Sequence, residues 1–152
     1  MQPTLNRHVF LALATVAWAD GSLAPEEREG ILRAAGGAGF SSEECAELDA
    51  AIQKPRDIDS LNLGRLSAID RVFVYATAVW LARIDGVVDP GEVAALQRLG
   101  DKLMVSDKKR KLADNLAVEV AAMPTGNRPD KYDLVSLRKL VEQRVTHTLP
   151  PT

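Results

Sequence analysis

The chain carries one cysteine, Cys45, in 152 residues. That rules out an internal disulfide and a multi-thiolate zinc site, and it fits a reducing, cytoplasmic setting. Its two histidines, His8 and His147, stand far apart in the sequence, so no histidine-based catalytic or metal motif is spelled out. Aromatic residues make up only 5% of the chain, and no alternating apolar-polar run reads as a strand. Neither sign of charge dominates: 19 basic residues face 21 acidic ones, for a net charge of −2. A basic surplus of the kind that binds nucleic acid or an anionic membrane is therefore missing. Long apolar runs are missing too. The uncharged stretches 9–19 and 72–82 have 11 residues each, short of the roughly 20 a membrane span requires. The N-terminal apolar stretch has one nearby arginine, and it meets Asp20 where a signal peptide would place small residues, so it reads as a helix. No glycine-rich phosphate loop, H-E-x-x-H or Ser/His/Asp arrangement is visible, and the chain is expected not to be an enzyme.

What is present is alanine interleaved with leucine and valine, in a composition that is 46% hydrophobic. The expectation is one all-α domain over residues 1–152, a bundle of about seven to eight helices. A first helix is predicted over 5–19 and stopped by Asp20-Gly21; a second opens at Pro25 and ends in the "GGAG" of 36–39. Ser41 followed by Glu44 is a capping-box pattern that opens a short third helix through Leu48 and Ile52. A long apolar helix over 66–84 is stopped by Asp85-Gly86, and Asp89, Pro90 and Glu92 open the next, running to about Met104. Ser106 or Asp107 starts a helix to about Met123. A last amphipathic helix over about 130–146 carries Leu134, Leu137, Leu140, Val141 and Val145 at intervals of three or four.

Two of these turns repeat. "ADGSLAPEE" (19–27) and "IDGVVDPGE" (84–92) share D-G-x-[LV]-x-P-x-E, and one offset of 65 residues (85 − 20) maps Asp20 on Asp85, Gly21 on Gly86, Pro25 on Pro90, Glu27 on Glu92 and Ile31 on Leu96. The chain is accordingly expected to hold a first repeat over about 5–53, a second over about 66–122, and the C-terminal helix, packed about a pseudo-twofold axis. Each turn resembles the back half of an EF-hand loop. The front half does not follow: the two positions that should bring oxygen ligands are Val16 and Trp18 in one copy, Leu81 and Arg83 in the other. A lone loop of this kind does not hold calcium.

The four acids Asp20, Glu27, Asp85 and Glu92 still require a reason, because an aspartate at a helix C-terminus meets the negative end of the dipole. Two readings stand. In one, the aspartates accept turn N–H groups and the glutamates reach back to the free amides of the following helix. In the other, carboxylates converge on a hard divalent cation, Ca, Mg or Mn, rather than zinc or copper.

The doubled hairpins, each after an Ala- and Val-rich helix, resemble the TerB-like family, named for a tellurite-resistance protein of bacteria. The resemblance covers about residues 5–120. It implies an all-α domain built from a duplicated helical unit, a role in bacterial stress response beside tellurite resistance, and a divalent-cation site at Asp20, Glu27, Asp85 and Glu92. Similar domains also stand at the front of a membrane-anchored DnaJ-like co-chaperone, which makes a protein-interaction or assembly module with purely structural acids the alternative. The first copy departs at Ala24, where the second has the capping Asp89. Tellurite is an oxyanion that a carboxylate cluster repels, so the implied ligand is a metal ion or another protein, with homo-oligomerisation a further option; neither nucleic acid nor a membrane span is expected.

The remaining candidates read as structure. His8 and His147 are expected to be exposed or satisfied, Cys45 to serve packing, and Trp18 and Trp80 to anchor the core. "SDKKRK" (106–111) is the one basic cluster, either a solvated face or a contact for an acidic partner.

Overall fold

A computed structural model of the protein describes residues 7–18, 25–37, 39–54, 64, 66–84, 90–123 and 134–148. The described residues form seven helices and no strand: α1 (Arg7–Ala17), α2 (Pro25–Gly37), α3 (Ser42–Ile52), α4 (Ala68–Ile84), α5 (Pro90–Lys102), α6 (Asp107–Ala121) and α7 (Leu134–Thr148). None is long and apolar enough to cross a membrane.

Helix α4 is the centre. Every residue from 72 to 80 is buried, the signature of a helix surrounded on all faces rather than laid on a surface. Its most extensive packing is against α6, and it also contacts α1, α5 and α7; α1, α2 and α3 pack mutually, and α7 bridges to α6 and α2. Trp80, Phe10, Phe73, Leu13 and Leu103 are among the largest fully buried side chains. Phe10 of α1 meets Phe40, just past α2, edge to face with ring centroids 5.2 Å apart, an arrangement aromatic quadrupoles favour.

Several boundaries follow the predicted caps. The Ser41 hydroxyl accepts from the Glu44 N–H at 3.1 Å and the Glu44 carboxylate accepts from the Ser41 N–H at 3.0 Å, a complete capping box. Ser106 caps α6 by accepting from the Lys109 N–H at 3.3 Å. Other boundaries move inward: α1 ends at Ala17 rather than 19 and α6 at Ala121 rather than about Met123, and two further shifts have a local cause. Helix α4 starts at Ala68 rather than 66 because Ser67 acts as its cap, accepting from the Asp70 N–H at 3.1 Å while the Asp70 carboxylate accepts from the Ser67 N–H at 3.3 Å. Helix α5 stops at Lys102, short of Met104, because Met104 adopts the left-handed conformation at φ 57°, which no α-helix accommodates. At the other end of the chain α7 continues to Thr148, two residues past its expected end.

The 65-residue offset extends well beyond the two acidic turns. It carries α2 onto α5 at both ends, the first residue of α3 onto that of α6, and the cap Ser41 onto the cap Ser106. It also carries Gly39, at φ 100°, onto Met104. Phe40 N–H donates to the Ala35 carbonyl at 3.1 Å and Gly39 N–H to Gly36 at 3.2 Å; their counterparts are Val105 to Gly100 at 3.0 Å and Met104 to Asp101 at 3.1 Å. Both helices thus end in the same Schellman turn. Gly39 suits the left-handed position and methionine does not, since its Cβ crowds the following carbonyl. Met104→Gly is expected to stabilise the protein by about 0.5–1 kcal/mol, the relieved strain outweighing the entropy glycine adds to the unfolded chain; a denaturant midpoint that falls would refute this.

Candidate functional site

The acidic positions singled out by the sequence are only partly within view. Asp20 and Asp85 lie outside the described residues, as do the side chains of Glu27 and Glu92. The backbone places Glu27 third in α2 and Glu92 third in α5, the helical position Glu44 occupies in α3, where its carboxylate closes the capping box. Among the described residues, no group of three or more histidine, cysteine or acidic side chains is placed to hold a metal ion.

The described charges are organised differently from what composition alone conveys. Among the described residues, arginine–carboxylate pairs join one helix to another. Arg28 of α2 grips Asp49 of α3 through two hydrogen bonds of 2.7 Å, and Arg144 of α7 grips Glu119 of α6 at 2.6 and 2.7 Å. These forked contacts hold the Asp49 and Glu119 carboxylates below their ordinary pKa, the side-chain hydrogen bond being the leading cause. Arg7 reaches Glu47 at 3.7 Å across an exposed gap, a contact of little energetic weight. Arg110 bonds Asp101 at 2.8 Å. The buried member is Arg138 of α7, whose Nε donates to Asp70 of α4 at 3.0 Å, both side chains being under 10% exposed.

Arg110 is the exception within the basic cluster 106–111. Its guanidinium turns inward, donating to the Val105 carbonyl at 2.9 Å and lying 5.9 Å from the centroid of the Tyr75 ring. Gly100 makes the room: a Cβ there would stand 2.7 Å from the Arg110 guanidinium carbon. The 65-residue offset pairs Gly100 with Ala35 and Arg110 with Cys45, so in the second hairpin the smaller backbone residue accompanies the larger side chain. Burial raises the Tyr75 phenol above its ordinary pKa; the Asp114 carboxylate adds to that and Arg110 opposes it. Lys108 and Lys111 remain exposed, and Lys109 is half-buried.

The other candidates fall into structural places. Cys45 is half-buried against the core. Trp80 is buried, whereas Trp18 is half-buried and donates its indole N–H to the Ile52 carbonyl at 2.8 Å, tying the end of α1 to the end of α3. His8 is half-buried, and the side chain of His147 lies outside the described residues. Sequence reasoning missed the Asp70–Arg138 pair, and the only available signal was an acid and a base, Asp70 and Arg71, inside an otherwise apolar run.

Comparison with protein-family models, with curated proteins and with solved structures finds no match to this chain.

Proposed function

We propose that the chain is a duplicated, TerB-like helical module that acts by binding rather than by catalysis, in bacterial stress response of the tellurite-resistance kind. The observation that carries this reading is the agreement of α2 and the start of α3 with α5 and the start of α6 under one offset, in helix ends, serine caps and Schellman hydrogen bonds together. A short motif recurs by chance; a whole turn geometry recurring with it is what a duplicated unit produces. The use of arginines to bolt one helix to the next agrees with a scaffold function.

In this proposal Asp20, Glu27, Asp85 and Glu92 form a divalent-cation site that takes calcium, magnesium or manganese through hard oxygen ligands. A second reading has its own support. Glu27 and Glu92 stand at the position of a capping-box glutamate, which makes the acids structural and the protein an assembly or co-chaperone-type module. Thermal unfolding of metal-stripped protein separates the two. With an ion at about 100 times its dissociation constant, stability rises by roughly 2.7 kcal/mol and the midpoint by several degrees, and the Asp20→Asn/Asp85→Asn double variant loses that rise. If no ion moves the midpoint and the double variant is merely less stable, the cation site is ruled out and the assembly reading takes its place.

A further inference from the structure

The two hairpins share their geometry but not their surfaces. The outer face of α3 carries Glu43, Ala46, Glu47 and Ala50, all exposed and spaced to form one stripe. The helix SEECAELDAAI contains four acids and no base. Asp49 is held by Arg28 and Glu44 closes the capping box, while Glu47 has only the loose, exposed contact with Arg7 at 3.7 Å. The outer face of α6 carries Lys108, Lys111, Asn115 and Val118, likewise exposed, while the counterpart of Glu47 under the 65-residue offset is the half-buried Leu112. Under the 65-residue offset Glu43 and Glu44 become Lys108 and Lys109, a reversal of charge at two adjacent positions. Neither these lysines nor Lys111 takes part in an ion pair among the described residues.

The apolar surface is just as uneven. Among the described residues, the exposed large hydrophobic ones, Val93, Met104, Val118 and Met123, all belong to α5, α6 or the residues beside them, and Met104 is 69% exposed. Two of them stand where the first hairpin has polar closure: Val93 corresponds to Arg28 and Val118 to Gln53, which both bond Asp49. The first hairpin is thus acidic and closed, the second basic and apolar. Lysines in the first turns of a helix also oppose its dipole, and Lys109 cannot return the reciprocal half of a capping box as Glu44 does. Local stability is given up at this surface, as happens where a surface serves recognition.

Because α3 and α6 do not pack substantially on each other, the complementary stripes cannot satisfy one another within one chain. We infer that they do so between chains: the basic, apolar outer face of α6 in one copy docks on the acidic, alanine-surfaced outer face of α3 in a second copy. Lys108 and Lys111 meet Glu43 and Glu47, and Val118 covers the alanines. Such a contact joins two different faces, so every copy keeps one face of each kind available and assembly proceeds head to tail. Salt screens it, because both sets of charges are exposed.

Sedimentation equilibrium of the full chain tests this. At ~0.02 M salt the weight-average mass rises with protein concentration to about twice the monomer or more, and ~0.5 M salt returns it towards the monomer, whose mass is 16.5 kDa. The exposed double variants Lys108→Glu/Lys111→Glu and Glu43→Lys/Glu47→Lys leave both caps intact, and each is monomeric at low salt with an unchanged circular dichroism spectrum. Mixed in equal amounts, the two variants associate again, since each supplies the face the other has lost. A parent that stays monomeric at low salt overturns the inference, as do variants that still assemble alone or a mixture that fails to recover association.

Discussion

Arg138→Ala lowers the stability of the protein by about 3–5 kcal/mol, the cost of leaving a buried charge without its partner. Asp70 is 6% exposed and Arg138 7%, so water replaces little of what the pair loses. Asp70 is also bound twice over. Its Oδ1 receives the guanidinium of α7 while its Oδ2 receives the Ser67 N–H at the start of α4, so one carboxylate caps the central helix and anchors the last one. Arg138 has a second contact with Glu142 at 3.3 Å, but that carboxylate is half exposed and lies on the same helix, and it contributes little to docking α7. In thermal unfolding the loss corresponds to a midpoint about 6–20 °C lower for a domain of this size. Asp70→Ala has a comparable effect and removes the cap as well. The double variant Asp70→Ala/Arg138→Met loses distinctly less than the sum of the two single changes, because neither charge is then left alone. Single losses below about 1 kcal/mol, or strict additivity, would show that the pair does not hold α7 to α4.

The second large effect is expected at Trp80. It is 1% exposed and the largest of the fully buried side chains, and it lies on the helix that contacts α1, α5, α6 and α7. Trp80→Ala removes a bicyclic ring from a site bounded by several helices, which cannot all close in on the space, and a cost of about 3–5 kcal/mol follows from the lost transfer energy and the residual cavity. Trp80→Phe retains most of the volume and loses much less. The comparison position is Val118, 48% exposed on α6, where Val118→Ala changes stability by no more than about 0.5 kcal/mol. Urea unfolding of the three variants measures all of this; a Trp80→Ala loss as small as that of Val118→Ala would contradict the central place of α4.

The local features of this fold were legible because they depend on neighbours in the chain. Pro25 and Pro90 open their helices, Ser41 and Glu44 form their box, and Ser106 caps α6; each interaction spans three or four residues, a distance over which spacing alone decides who meets whom. The offset between Asp20 and Asp85 was visible for the same reason, and it foretold a correspondence of turns that reaches Gly39 and Met104. What it did not convey was that Met104 would end α5, since methionine gives no sign of a left-handed residue. Of the candidate acids, spacing placed Glu27 and Glu92 correctly on the third residue of their helices, while Asp20 and Asp85 lie outside the described residues.

The sequence by itself determined the helical character of the described residues, the order of the helices, the caps Ser41 and Ser106 and the repetition of one turn motif, because hydrogen bonds and dipoles within a helix are set by residues at most a turn apart. The tertiary structure alone decided that α4 is the centre, that Arg138 reaches back 68 residues to Asp70, that Arg110 folds inward over the space left at Gly100, and that one hairpin surface closes while its counterpart stays open. Those outcomes depend on which of several similar apolar faces meet, and that choice is made by the packing of all seven helices together.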